Sequence, residues 1–454
     1  MATQQTAPAA YLDALAEYVA ETGYDQIPEP VRHQARYVLL DTAGAIVSGS
    51  AEPENAALTA SMASSGGAAT ILGGDFPHAA PSDAALVNGT AGTAMEQDEG
   101  HPPVGHPAIY TIPALLALGE EARADGQRVL GALVLAYEAY VRLGRSIRFA
   151  PGLHTHGSIA TVTAAIAAAR LLGFDARTLR EAVSIAACLS AATPFSTANE
   201  GATVRNVYAG LAARTGLLAA RLAADGFSGP ADGLRLVYGS LLGSGVDGER
   251  VVHRLGEDFE IATNYFKLHA ACRYTHAPLD ALERALGGEA IGPDDVAAVS
   301  VVGNANAAMC DRADPQNMLA AKFSVPFAIA TAIAHGHTKP DAFRQAAVDD
   351  PIVRALAQRV SVVEDPAYTT RFPAEQAADV EVRLASGRVL TGSVTNPRGA
   401  ERDPVSYAEV EAKFALLTAG AFGERTMEAQ RLLLSVDALS DLRQLTDGLR
   451  GLAQ

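Results

Sequence analysis

Three short stretches of this chain concentrate side chains that can move protons or hold anions. The first places Glu96, Asp98, Glu99, His101 and His106 within eleven positions. The second is His154-Thr155-His156-Gly157, and the third runs from Lys267 through His269, Cys272, Arg273 and Tyr274 to His276. Arg205 stands apart as a cation opening a helix. Two chemistries fit this inventory. Proton abstraction beside a carboxylate needs a base that titrates near working pH, for which His is the usual choice, and cationic donors that hold the carboxylate as it becomes enolate-like. Arg205 suits a carboxylate through its bidentate fork, and Lys267 serves as a second clamp or an acid. The competitor is a metal site, with His154 and His156 joined by His101, His106, Glu96 or Asp98. No HExxH or comparable helical signature supports it.

Each group also has a plainer explanation. The stretch from Glu96 to His106 reads equally as a solvated acidic helix end, and His154 as a helix-capping or core histidine. Arg205 could cover a helix start or pair with Glu200. Cys272 is a packing thiol unless Lys267 and Arg273 lower its pKa and make it an acid or base. His269 and His276 read as structural. A phosphate-cradling glycine loop and a nucleophile elbow are both missing, which weakens nucleotide-binding and serine-hydrolase readings.

The elements that must position these residues are mostly helices. Of 454 residues 49% are apolar, dominated by Ala, Leu and Val with no Trp, which favours close helical packing. Helical spacing covers Tyr11 to Val19, Val31 to Val47, Glu54 to Ser64, Ile112 to Ala122, Val129 to Ile147, Ala160 to Leu172, Leu179 to Leu189 and Val204 to Ala224. Gly66-Gly67 reads as a loop. The helix entering Asn88-Gly89-Thr90-Ala91 is expected to run to the break at Pro102-Pro103, with Glu96, Glu99 and Gly100 on one face. His154 and His156 precede a helix whose free N–H groups favour an anion nearby. From about residue 263 the texture becomes α+β: a strand at Val296–Val302, a helix at Ala320–His335, a strand at Val360–Val363, and a hairpin of Asp379–Leu384 with Arg388–Val394 turning at Ser386-Gly387. Helices return after a linker at Pro397–Pro404. The division is therefore a helical domain from both chain ends, 1–262 and 402–454, with an α+β domain, 263–401, inserted between them.

A formal charge of −16 without a basic cluster argues against nucleic-acid or anionic-membrane partners, and an anionic substrate then needs a locally positive pocket. Cys188, Cys272 and Cys310 lack CxxC spacing and fit a reducing cytoplasm. No apolar run reaches the ~18 residues of a membrane span, so the chain is expected to be cytoplasmic.

The motifs together resemble the MmgE/PrpD family, whose members include 2-methylcitrate dehydratase, cis-aconitate decarboxylase and iminodisuccinate epimerase. The resemblance runs nearly end to end. It rests on Leu39-Leu40-Asp41-Thr42-Ala43-Gly44, Asn88-Gly89-Thr90-Ala91, His106-Pro107, His154 with Arg170-Leu171-Leu172-Gly173, and Ala209-Gly210-Leu211-Ala212-Ala213. Phe266-Lys267 through Cys272 and His276, Lys322-Phe323-Ser324 and Pro397-Arg398-Gly399 extend it. It implies a mainly α protein with an inserted α+β lid, a homodimer, and a pocket between domains that needs no metal or organic cofactor. It also implies that small, multiply carboxylated substrates lose or gain a proton, water or carbon dioxide next to a carboxylate. Position by position, Glu96 falls where relatives often have Asp, and Gly100 where the decarboxylase type has Thr. His106, His154 and Lys267 match, whereas Arg205 replaces a Lys, Cys272 a His, and Phe327 a Tyr. A guanidinium is a poor proton donor and Phe327 cannot donate at all, so the acid steps need another carrier here. That weighs against cis-aconitate decarboxylation and leaves anion binding and proton abstraction intact.

The reading is a cofactor-independent lyase of dehydratase type acting on a small di- or tricarboxylate. His106, His154, Lys267 and Cys272 are its candidate catalytic residues. Glu96, Asp98, His101, His156, Arg205, Arg273 and Phe327 surround the substrate. His154 or His106 takes the α-proton and the other, or Cys272, returns one, with Glu96 and Asp98 orienting the histidines. The alternatives are an epimerase or isomerase using the same carbanion chemistry, a non-catalytic carboxylate-binding relative, and a metal-dependent hydrolase.

Overall fold

The computed structural model describes residues 9–63 and 67–453. Its first part is helical: α1 (Ala10–Glu21), α2 (Glu29–Ser50), α3 (Pro53–Met62), α4 (Pro81–Ala94), α5 (Pro107–Glu121), α6 (Gly126–Ser146), α7 (Ile159–Leu172), α8 (Ala176–Cys188), a short α9 (Ser196–Glu200) and α10 (Val204–Ala224). Ser64, the expected end of α3, and Gly66 of the expected glycine loop lie outside the described residues. β1 (Ile147–Phe149) pairs antiparallel with β2 (Gly243–Val246).

Small residues let these helices approach closely. A Cβ on Gly89 of α4 would stand 2.6 Å from Gly210 Cα of α10, and one on Gly210 would stand 2.1 Å from the Leu86 carbonyl oxygen. Any larger side chain there would push the helices apart. The pair runs antiparallel, so the end of α4 lies beside the start of α10, where Thr93 Oγ1 donates to the Asn206 carbonyl at 2.8 Å. One hydrophobic core joins this body to the C-terminal helices, with Leu40, Leu133 and Ile166 packed in the same cluster as Phe414, Leu433 and Leu445.

The second core contains Leu279, Val299, Phe343 and Val380. It is built on a four-stranded sheet of order β4-β3-β5-β6, comprising β3 (Val296–Gly303), β4 (Val360–Glu364), β5 (Ala378–Leu384) and β6 (Val389–Val394). β3 and β4 are parallel, and the other neighbours are antiparallel. The helix His276–Leu286 covers β5 and β6. The chain is thus mainly α, with a helical body formed from both ends and an inserted α+β body.

Two expected helices are divided differently. The run from Ala320 to His335 is two helices, Met318–Lys322 and Val325–His335, because Ser324 Oγ caps the second by accepting from Phe327 N at 3.0 Å. α4 stops at Ala94, well before the prolines, and Glu96 takes a left-handed backbone, φ +52°. Glu96, Glu99 and Gly100 therefore share no helical face.

Candidate active site

The stop after Ala94 turns the acidic stretch into an irregular loop that folds across the start of α10. A left-handed non-glycine residue costs on the order of 1–3 kcal/mol, and such strain persists where surrounding contacts over-determine it. Here the contacts are ionic and buried. Glu96 pairs with Arg205 Nη1 on one side and with Lys267 Nζ at 2.9 Å on the other. Lys267 Nζ lies 3.6 Å from Asp98 Oδ1, and Asp98 Oδ2 lies 3.0 Å from His106 Nδ1. The result is a row of alternating charge, Arg205, Glu96, Lys267 and Asp98, ending on His106. Burial alone would raise Glu96 and Asp98, but Arg205 and Lys267 hold Glu96, and His106 and Lys267 hold Asp98, below their ordinary carboxylate values. Burial would likewise lower Lys267, and its two carboxylates outweigh that and raise it.

The tautomers follow from the neighbours. His106 Nδ1 is 2.7 Å from the Glu99 carbonyl oxygen, which can only accept, so Nδ1 carries the proton. Although Asp98 is also close to that nitrogen, the N–H is aimed at the carbonyl. In the neutral ring Nε2 then keeps its lone pair, and His106 lines the cavity. His154 is the reverse case. The His156 backbone N–H donates to His154 Nδ1 at 3.2 Å, which leaves the ring hydrogen on Nε2, a buried atom without a partner. Burial, with Arg205 nearby, pushes His154 well below its ordinary value, so it stays neutral. Burial and His154 do the same to His156, whose Nδ1 meets Tyr110 Oη at 2.9 Å and whose Nε2 faces Arg205 Nη2 at 3.4 Å.

These groups surround a cavity of about 210 Å³ between the two bodies, below the ~300 Å³ at which drug-sized sites begin. Glu96, His101, His106, His154 and His156 line it, together with Arg205, Cys272 and Arg273. Asp98 and Lys267 sit behind that lining, tied into the charge row. His101 is turned toward Thr263 Oγ1, 3.0 Å, and Glu260, 3.3 Å. Phe327 is not at the cavity. Its ring is fully buried in the α+β core, 6.1 Å from the Phe343 ring, because the cap at Ser324 turns the first turn of its helix into that core. Among the described residues no three His, Cys, Asp or Glu side chains form a metal-ligand cluster.

Arg273 differs from the other cations of the site. It has no carboxylate partner among the described residues. Its Nη atoms donate to the carbonyls of Arg398 and Pro397 at 3.0 and 3.2 Å, and Nε is buried without a partner. Burial lowers it to about 10, so it remains charged. Arg205 Nε is also unpartnered.

Three supporting residues have no role assigned in the sequence reading. Lys322 Nζ donates to the Ala94 carbonyl at 2.9 Å, a cation on the free carbonyls at the end of α4, and burial pushes it down to about 7. Lys413 bridges Asp41 at 2.6 Å and the Gln97 carbonyl at 2.5 Å. Glu99 accepts from Ala108 N at the start of α5, 2.9 Å, and from Tyr137 Oη, 2.8 Å, and burial pushes its carboxyl up to about 8. A lone lysine in the apolar run Leu319-Ala320-Ala321-Lys322-Phe323 was the available signal for Lys322.

Among the described residues no helix is long and apolar enough to cross a membrane. Residues 13–242 match the MmgE/PrpD N-terminal domain and residues 269–439 the MmgE/PrpD C-terminal domain. Curated relatives include cis-aconitate decarboxylase of Aspergillus terreus, 26% identical over 95% of this chain and 94% of the relative. The Homo sapiens enzyme of the same name is 24% identical over 94% and 91%, and that of Mus musculus 25% over 84% and 80%. With both domain models matched in order along the chain, this protein belongs to the MmgE/PrpD family.

Proposed function

We propose that the chain is a lyase of dehydratase type that removes the α-proton of a small di- or tricarboxylate without a cofactor, with His106 as the base. One observation carries this reading. Three buried N–H donors without partners, His154 Nε2, Arg205 Nε and Arg273 Nε, belong to residues lining the cavity that His106 also lines. Buried donors are almost always satisfied, so three orphans around one small cavity call for a ligand rich in acceptors and negative charge. The proton beside a carboxylate becomes removable when such donors stabilise the enolate-like charge, and His106 Nε2 supplies the lone pair. His154 then acts as a neutral hydrogen-bond donor. Relatives named for action on cis-aconitate, a tricarboxylate, support the substrate class.

A homodimer in the cytoplasm belongs to the same proposal. Val204, Leu211 and Leu218 of α10 and Leu172 of α7 are exposed apolar side chains that a second copy would cover, and the mass in solution tests this.

Proton NMR in deuterated water with malate, citrate, 2-methylcitrate and cis-aconitate tests the chemistry. Deuterium at an α-position together with an unsaturated product is the expected result. Exchange with inversion and no elimination would make the protein an epimerase, and binding without exchange a non-catalytic relative.

A further inference from the structure

With Phe327 in the core, the acid that serves the leaving group has to come from elsewhere. Two tyrosines line the cavity, Tyr265 and Tyr274. Tyr274 keeps company with Phe195 and Phe372, each ring 6.5 Å away. Tyr265 stands among the acid-base groups: its ring is 6.3 Å from that of His106 and nearly perpendicular to it, and the Arg273 guanidinium lies 4.3 Å over its face. Two backbone hydrogen bonds to Gly100, 3.1 and 2.8 Å, fasten it to the acidic loop.

Gly100 is what makes room for the phenol. A Cβ there would stand 2.3 Å from Tyr265 Oη and 2.5 Å from Cζ, so a side chain at 100 and the hydroxyl at 265 compete for one space. Buried tyrosines normally find a partner. Tyr110, Tyr137 and Tyr140, around the same loop, all do. Tyr265 Oη makes no hydrogen bond among the described residues, and it belongs to a side chain that faces the ligand cavity.

We propose that Tyr265 is the general acid of this site, its hydroxyl delivering a proton to the leaving oxygen from the space that Gly100 leaves open. The inference rests on the lyase reading above. His106 Nε2 takes the α-proton, the electron pair of that C–H bond becomes the new carbon–carbon π bond, and the carbon–oxygen bond at the β-carbon breaks. The Tyr265 O–H bond gives its proton to the departing oxygen, which leaves as water. The phenolate regains a proton through solvent as His106 gives one up, so the protein ends unchanged. Burial raises the Tyr265 phenol well above its ordinary value, which keeps the proton in place until a stronger base, the departing oxygen, forms beside it. The Arg273 cation over the ring stabilises the phenolate while it lasts.

Tyr265→Phe removes a hydroxyl with no protein partner, so the fold and its thermal midpoint should be unchanged. With whichever of malate, citrate or 2-methylcitrate the wild type converts fastest, elimination should fall by about 10²-fold or more while α-deuterium exchange stays within about threefold. Gly100→Ala, whose Cβ would meet the phenol oxygen at 2.3 Å and the Gly105 carbonyl oxygen at 2.9 Å, should lower elimination as well. Elimination within about threefold of wild type in Tyr265→Phe overturns the proposal, and so does a parallel fall of exchange and elimination, which would make Tyr265 a binding group. If the wild type neither exchanges nor eliminates with any of the three, the lyase reading itself falls and takes the acid with it.

Discussion

The two sides of the cavity are built on opposite principles. On the side of the acidic loop, Arg205, Glu96, Lys267 and Asp98 neutralise one another in sequence, and lysines from distant segments grip the loop's carbonyls. On the side of His154 and Arg273, donors are buried and left open, and across from them only Arg205, through Nε, keeps an open N–H. The first arrangement stores its electrostatics internally and so fixes geometry. The second leaves its hydrogen-bonding capacity to the ligand. A count of positive residues is therefore a poor guide to an anion site. Arg205 and Lys267 look like the substrate clamps in the sequence, yet their charges are already matched by carboxylates, and the cavity-lining cation without a carboxylate partner among the described residues is Arg273.

Substitutions on each side should break this contrast differently. The largest effect is expected from His106→Ala, which removes the lone pair; α-deuterium exchange should drop by about 10²–10⁴-fold with little change in ligand-induced thermal shift. Exchange at the wild-type rate would remove His106 from the mechanism. Next comes Lys267→Met. It leaves Glu96 and Asp98 sharing too little positive charge in a buried place, and breaking buried pairs in this way costs about 3–5 kcal/mol, so denaturant unfolding should reveal the loss before any assay does. An unchanged midpoint would mean that Lys267 is not the link between the two carboxylates.

Arg273→Leu acts on the open side. The expected signature is ligand affinity weakened by about 30-fold or more, KM rising more than kcat falls, and a stability loss of about 1–3 kcal/mol for each carbonyl of Pro397 and Arg398 left without its donor. Equal affinity for malate and citrate before and after the change would transfer the anchor to Arg205. Glu99→Gln should have the smallest effect and a telltale pH dependence. The Glu99 carboxyl is raised from its ordinary 4.5 to about 8, so the native state keeps a proton that the unfolded chain has lost. Its contribution is complete below about 4.5 and lost as pH rises toward about 8. Glutamine cannot ionise, so the variant's stability should lose that fall, measured as a flatter unfolding free energy between those pH values.

Much of this was legible in the sequence because it depends on local patterns. Helical periodicity predicted α2, α7 and α10 to within a few residues, and alternation predicted β5 and β6. The stretches 96–106, 154–156 and 267–276 carried the acid-base residues, and the cavity does gather most of them. The failures were also physical. Proline as a helix breaker puts the expected end of α4 at Pro102-Pro103, whereas the contacts of Glu96 with Arg205 and Lys267, residues far along the chain, reward a left-handed turn earlier. The family resemblance puts Phe327 at the site, where relatives have a Tyr, and a serine cap sends it into the core.

Propensity, periodicity and residue type are properties of neighbours along the chain, and they suffice for the helical body, the inserted sheet and the kinds of groups available for chemistry. What each group can do depends on contacts that the fold brings in. His106 and His154 are the same residue type, yet one presents a lone pair and the other an N–H, because the Glu99 carbonyl meets one ring and the His156 amide the other. Protonation, charge pairing and open valence at a buried site are set by what lies within about 3 Å, and in a folded chain those neighbours come from anywhere.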